Sequence, residues 1–254
     1  MSTITNLPRL LFLLSLGALW GAAEIGAHLR WRLRLQEEDY HKDFDIILAA
    51  ALTLLGLIIG FSFSMVISRY DQRKNYEENE ANAIGTEYLR AKLLPDVEAM
   101  KVRELLKNYL DERILYYQSS AEKEELESIK NRTTQLQNTL WSMVEVTAEK
   151  QQTPTIALVV SGMNDVLNSQ GYTQAAWWNQ LPPAAWLLLM IIALFCNTLI
   201  GYGSRRRNTA VLVILPLVIA ISFFLIADID SPTRGYIRVV PQNLLSLRQS
   251  LPAN

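Results

Sequence analysis

Apolar residues are gathered into four stretches, roughly Leu10 to Leu29, Ile46 to Ile67, Ala184 to Gly203 and Ala210 to Ala227. Each approaches the ~20 residues that an α-helix needs to cross ~30 Å of hydrocarbon. The second, IILAAALTLLGLIIGFSFSMVI, carries no charge at all. It runs without a proline into SRYDQRKNYEENEANAIGTEYLRAKLL, which is charged and helix-favouring and stops at Pro95. This pattern predicts one helix from Asp45 to Leu94 that leaves the bilayer and continues into water, ~75 Å long if straight. On its polar half Ala81, Ile84, Tyr88 and Ala91 recur at steps of three and four, a narrow seam for packing against another helix.

Between the second and third apolar stretches the period stays helical. Asp96, just past Pro95, is placed to cap a helix carrying Val102, Leu106, Tyr109, Leu110, Arg113, Ile114 and Tyr117. Leu126, Ile129, Thr133, Leu136, Leu140, Met143 and Thr147 then alternate steps of three and four, fitting either a coiled-coil partner or an intramolecular hairpin. Thr153-Pro154 has the form of an N-cap followed by proline at the first helical position, opening a helix expected to reach Gly171. Trp177, Trp178 and Trp186 flank Pro182-Pro183, as an interfacial aromatic belt predicts. Pro216 is expected to kink the last apolar helix or free one of its carbonyls.

The predicted fold is therefore all-α: a polytopic membrane protein with four transmembrane helices in two pairs and a helical extramembrane domain between them. The expected divisions are 1–68 for the first pair, 69–182 for the extramembrane domain, 183–228 for the second pair and 229–254 for a C-terminal tail. The first apolar stretch reads as a retained helix rather than a cleaved signal, because Glu24 interrupts the cleavage region and Arg30, Arg32 and Arg34 follow.

Composition narrows the function classes. A net charge of −1 gives no footprint for nucleic acid. One cysteine, Cys196, and two histidines leave no disulfide framework and no expected metal site or other cofactor. No nucleophile–base spacing or phosphate loop argues for catalysis, so no catalytic residue is assigned and an enzyme is not expected.

Several residues remain as candidates. Gly17 and Gly21 form a GxxxG, and Ala49, Thr53, Gly56, Gly60 and Ser64 make a longer small-residue stripe on the second helix. Small residues permit close helix approach in lipid, either within one chain, between subunits or along a pore. Glu24 and His28 lie one turn apart near the end of the first helix, an ionisable pair that suits either function or headgroup anchoring. Asp228 and Asp230 end the fourth helix, where the macrodipole disfavours acids. Two carboxylates are too few for calcium, and pairing with Arg69 or Arg73 at the exit of the second helix is the expected resolution.

The basic residues tally equally on the two sides: Arg30, Arg32, Arg34, Lys42 and Arg205 to Arg207 on the short loops, against Arg9, Arg69, Arg73, Lys74, Arg234, Arg238 and Arg248. The excess after the first helix favours short loops inside and the helical domain outside.

Two stretches, NEANAIGTEYLRAKLLP (Asn79 to Pro95) and ADIDSPTRGYIRV (Ala227 to Val239), together with the four-span layout, resemble the bestrophin-like family of bacterial membrane proteins. The resemblance covers Glu24 to the C-terminus. It implies kinship to bestrophins, pentameric anion channels whose second membrane helix lines the pore and whose helical domain is cytosolic, which opposes the charge-based orientation. By that resemblance the chain is expected to form a homo-oligomer in the cell membrane, a channel for a small anion. Gly56, Gly60, Phe61, Phe63 and Ser64 are then the pore or gate candidates, with Arg69 and Arg73 at the mouth. No bestrophin pore motif maps residue by residue onto the chain. The alternative is a membrane-anchored helical interaction module without transport.

Overall fold

The computed structural model describes residues 7–33, 41–119, 123–204 and 209–252. Arg34, the basic turn Arg205 to Arg207 and the turn at Ser120 lie outside them. The described residues form eight α-helices: α1 (Pro8–Leu33), α2 (His41–Arg90), α3 (Asp96–Gln118), α4 (Lys123–Lys150), α5 (Pro154–Trp178), α6 (Pro183–Gly203), α7 (Thr209–Asp230) and α8 (Gln242–Ser250). A 3-10 turn, Ala91–Leu93, follows α2. The four apolar stretches all fall on helices long enough to cross a bilayer, so the chain is an all-α polytopic membrane protein. It divides into two compact units, Met1–Ser68 with Gln180–Ile237, and Arg69–Asn179 with Arg238–Asn254.

The apolar unit is built on α1, which packs against both α6 and α7. The contact with α6 is a backbone-to-backbone approach. A Cβ on Gly26 would lie 2.0 Å from the Thr198 carbonyl oxygen, and one on Gly201 would lie 1.9 Å from that of Ala23. Only glycine fits at either place, because the obstructing atoms are main chain. The GxxxG glycines of α1 do not serve this purpose: Gly17 and Gly21 have nothing within 4 Å of a built Cβ. Arg30 donates to the carbonyls of Tyr202 (3.0 Å) and Gly203 (3.2 Å), satisfying the last turn of α6. α7 remains helical through Pro216. Trp186 is buried edge-on against Phe223, so its indole serves packing rather than an interfacial belt.

The second unit has a core of helix seams. Ala81, Ile84, Tyr88 and Ala91, the seam read from the sequence, are all buried, against residues such as Leu106, Leu110 and Met163. Leu126 to Thr147 also turn inward, and α4 packs on α3 and α5 of the same chain, which makes an intramolecular hairpin of that heptad pattern. Thr133 and Thr147 sit on this seam because each hydroxyl donates to the carbonyl four residues back, at 2.8 Å and 3.0 Å.

Three local expectations are corrected. Pro95, not Asp96, is the cap of α3, and Asp96 with Glu98 instead places negative charge in its first turn. Gly171 does not end α5, which runs on to Trp178; the glycine is exposed with open space around it, and one glycine costs a helix only about 1 kcal/mol. Trp177 is buried against Tyr116 (centroids 4.4 Å apart) and Tyr117, leaving Trp178 as the exposed tryptophan of the three. The Thr153 cap holds: its hydroxyl accepts from the Ile156 amide at 3.2 Å, with Pro154 next to it.

Candidate functional site

α2 supplies the candidate site because it is the least covered of the four apolar helices. About 11% of its apolar window is buried, against 33% to 50% in the others. Leu55, Ser62 and Val66 form its packed edge. At roughly 100° per residue, Ala49, Thr53, Gly56, Gly60 and Ser64 fall on the side away from that edge, and all five are exposed. Gly56 and Gly60 have nothing within 4 Å of a built Cβ. Among the described residues, therefore, nothing of the same chain packs on this stripe. Phe61 and Phe63 flank the stripe and are 65% and 40% exposed. The structure thus gathers Gly56, Gly60, Phe61, Phe63 and Ser64 onto one open surface of a single helix.

The mouth residues behave differently. Arg73 is 3% exposed, with its Nε donating to the Arg69 carbonyl at 3.3 Å, and Arg69 is partly buried. The charges that α2 does present to solvent nearby are Asp71, Lys74 and Glu78. Burial of Arg73 weighs against its use as an open positive mouth.

Asp228 and Asp230 have a role that their spacing in the sequence did not suggest. Both oxygens of Asp228 accept main-chain amides, from Tyr236 (2.8 Å) and Ile237 (2.9 Å). Asp230 accepts the Leu181 amide at 2.8 Å, tying the end of α7 to the entry of α6. A Cβ on Gly235 would lie 2.1 Å from the Asp228 carbonyl oxygen, so the turn can fold this tightly only with glycine. Charge-assisted bonds to orphan amides offset the unfavourable helix end. The DxDSPxxG spacing was the available signal, and it encodes a turn. Among the described residues no three His, Cys, Asp or Glu side chains come together as a metal site would require. The exposed His28 ring lies beside Trp31, centroids 5.9 Å apart, while Glu24 is half-buried.

Below the seam of the second unit lies a buried polar cluster. Glu80 and Arg113 form an ion pair, and Tyr117 (3.3 Å) and Thr173 (3.1 Å) both donate to the second Glu80 oxygen. The Arg113 guanidinium also lies over the Tyr116 ring, 4.6 Å from its centroid. Burial is the largest influence on Arg113 and would lower its pKa, but the Glu80 charge and hydrogen bond, with Tyr109 and Tyr117, together turn the shift upward. Burial also pushes the Tyr116 hydroxyl up to about 12. A fully satisfied cluster of this kind does structural rather than chemical work.

A profile of the bestrophin-like domain matches residues 16–244. The chain belongs to the bestrophin-like family. Among curated proteins no sequence matches this bestrophin-like chain significantly. Its fold is that of crystal structures of a bacterial bestrophin homolog from Klebsiella pneumoniae. One point variant aligns with TM-score 0.66 at 13% identity, covering 94% of this chain and 97% of the other. A second variant gives 0.64 at 14%, covering 94% and 99%. The structure phased by zinc anomalous scattering gives 0.62 at 14%, covering 95% and 98%.

Proposed function

We propose that this bestrophin-like protein is a subunit of an oligomeric membrane channel, with α2 lining the conduit. The observation that carries the reading is the open stripe of α2: a spanning helix whose small residues face away from its own chain needs a neighbour, lipid or water there. Small residues serve lipid contact poorly and suit close subunit packing or a narrow conduit. Phe61 and Phe63 would narrow such a conduit by dewetting. A small anion as the permeant ion rests on the resemblance to bestrophins, since Arg73 is buried and the exposed charges nearby are of mixed sign. The assembly sits in the cell membrane as a homo-oligomer.

Single cysteines at Thr53, Gly60 and Ser64 in a Cys196→Ser background test this. A conduit or subunit interface predicts modification by a water-soluble thiol reagent or disulfide cross-linking between copies. Cysteines that react only with membrane-partitioned reagents and never cross-link would place the stripe in lipid and favour the anchored module.

A further inference from the structure

α2 turns three glutamates into the second unit: Glu77, Glu80 and Glu87 are 1%, 0% and 0% exposed. Two are fully engaged. Glu80 has Arg113, Tyr117 and Thr173, and Glu77 accepts the Asn243 amide (2.9 Å), the Asn243 side-chain amide (2.6 Å) and the Leu244 amide (2.9 Å). Glu87 differs, because neither of its oxygens has a hydrogen-bond partner. It lies against α5 at Gly162, where a Cβ would fall 1.9 Å from Glu87 Oε2 and 2.6 Å from an Arg90 terminal nitrogen. The absence of a side chain at Gly162 is what lets the carboxyl tuck against that helix.

We propose that Glu87 is a proton switch on the packing of α2 against α5: neutral, it lets the two helices close at Gly162, and ionised, it loosens them. A buried carboxylate with no donor must recruit water or Arg90 to its oxygens, and either movement opens the seam. Burial pushes the Glu87 carboxyl up to about 8; the charges that reach it are Arg90, on its own helix, which opposes the rise, and Asp165 on α5, which adds to it. The folded pKa therefore lies above the ordinary value of 4.5. The stability that protonation contributes is complete below about 4.5, falls as pH rises towards about 8, and is gone above it. The inference concerns the second unit alone and does not rest on the channel reading.

The test uses the full chain in lipid nanodiscs. Hydrogen exchange of residues 154–169, corrected for the intrinsic pH dependence, should speed up by about tenfold to a hundredfold between about pH 6 and about pH 8. Glu87→Gln, a neutral isostere, should remove that rise and should also remove a protonated-carboxyl C=O stretch present in the wild-type infrared spectrum at pH 7. A wild-type exchange profile that is flat over this range overturns the proposal whether or not the variant folds. So does a Glu87→Gln profile with the same rise, or an infrared spectrum that the substitution leaves unchanged.

Discussion

At the scale of single residues, charges and glycines do work that hydrophobicity hides. Removing one partner of the Glu80–Arg113 pair strands the other in a buried site, so Arg113→Met should cost about 3–5 kcal/mol of stability. Glu80→Leu combined with Arg113→Met should recover part of that loss, because no unpaired charge remains. Thermal unfolding in detergent measures both, and a double mutant as damaged as the sum of the singles would deny the coupling. Gly26→Leu should destabilise the apolar unit strongly while Gly17→Leu changes little, since only the first meets main-chain atoms. Comparative melting of the two variants checks the contrast. Much of this was within reach of the sequence. Glu77, Glu80 and Glu87 stand on the same helical face as Ala81, Ile84 and Tyr88, and Arg113 stands on the apolar face that Leu106, Tyr109, Leu110, Ile114 and Tyr117 make at helical spacing. A charge on a buried face asks for a partner, but spacing on one helix does not say which distant residue supplies it. The small-residue motif was uninformative about contacts within the chain for a related reason: GxxxG marks where helices can approach, and Gly26 with Gly201 form a close contact from two helices that share no local pattern.

At the scale of elements, local signals were most informative where they were purely local. The proline-free run through α2 produces an unbroken helix, and Thr153-Pro154 caps α5 as expected. The turn after α7 was legible only as a helix stop, because the amides that Asp228 accepts lie eight and nine residues on. Element α8 was not foreseen at all: its short QNLLSLRQS sequence is too brief to be stable alone, and tertiary contacts hold it. Glu77 accepts the amides of Asn243 and Leu244 at its start, Arg248 donates to Asp111 at 2.6 Å, and Leu247 packs on Gly85. Glu77→Ala should therefore release α8, raising amide exchange over residues 242–250 by more than tenfold while α4 keeps its protection. The carboxylate is a charge-assisted cap, worth about 1.5–3 kcal/mol. Unchanged exchange over 242–250 would show that the apolar contacts suffice.

At the scale of the whole molecule, four apolar helices, the match to the bestrophin-like domain over residues 16–244 and the shared fold establish a polytopic membrane protein. Those four spans were readable because length and charge exclusion are physical requirements of a bilayer. The role of the α2 stripe was not readable, since a small-residue face looks the same whether it meets its own chain, another copy or water. Its exposure among the described residues argues against the first of these. The central claim is that the remaining face encloses a conduit. Single-channel recording of the purified oligomer in planar bilayers tests it most directly, with wild type beside Phe61→Ala, Phe63→Ala and Gly60→Leu. The account predicts unitary currents in the wild type, a changed conductance or open probability when either phenylalanine is trimmed, and loss of current when leucine fills the stripe. A correctly assembled oligomer that carries no current in the wild type or in either alanine variant would contradict it.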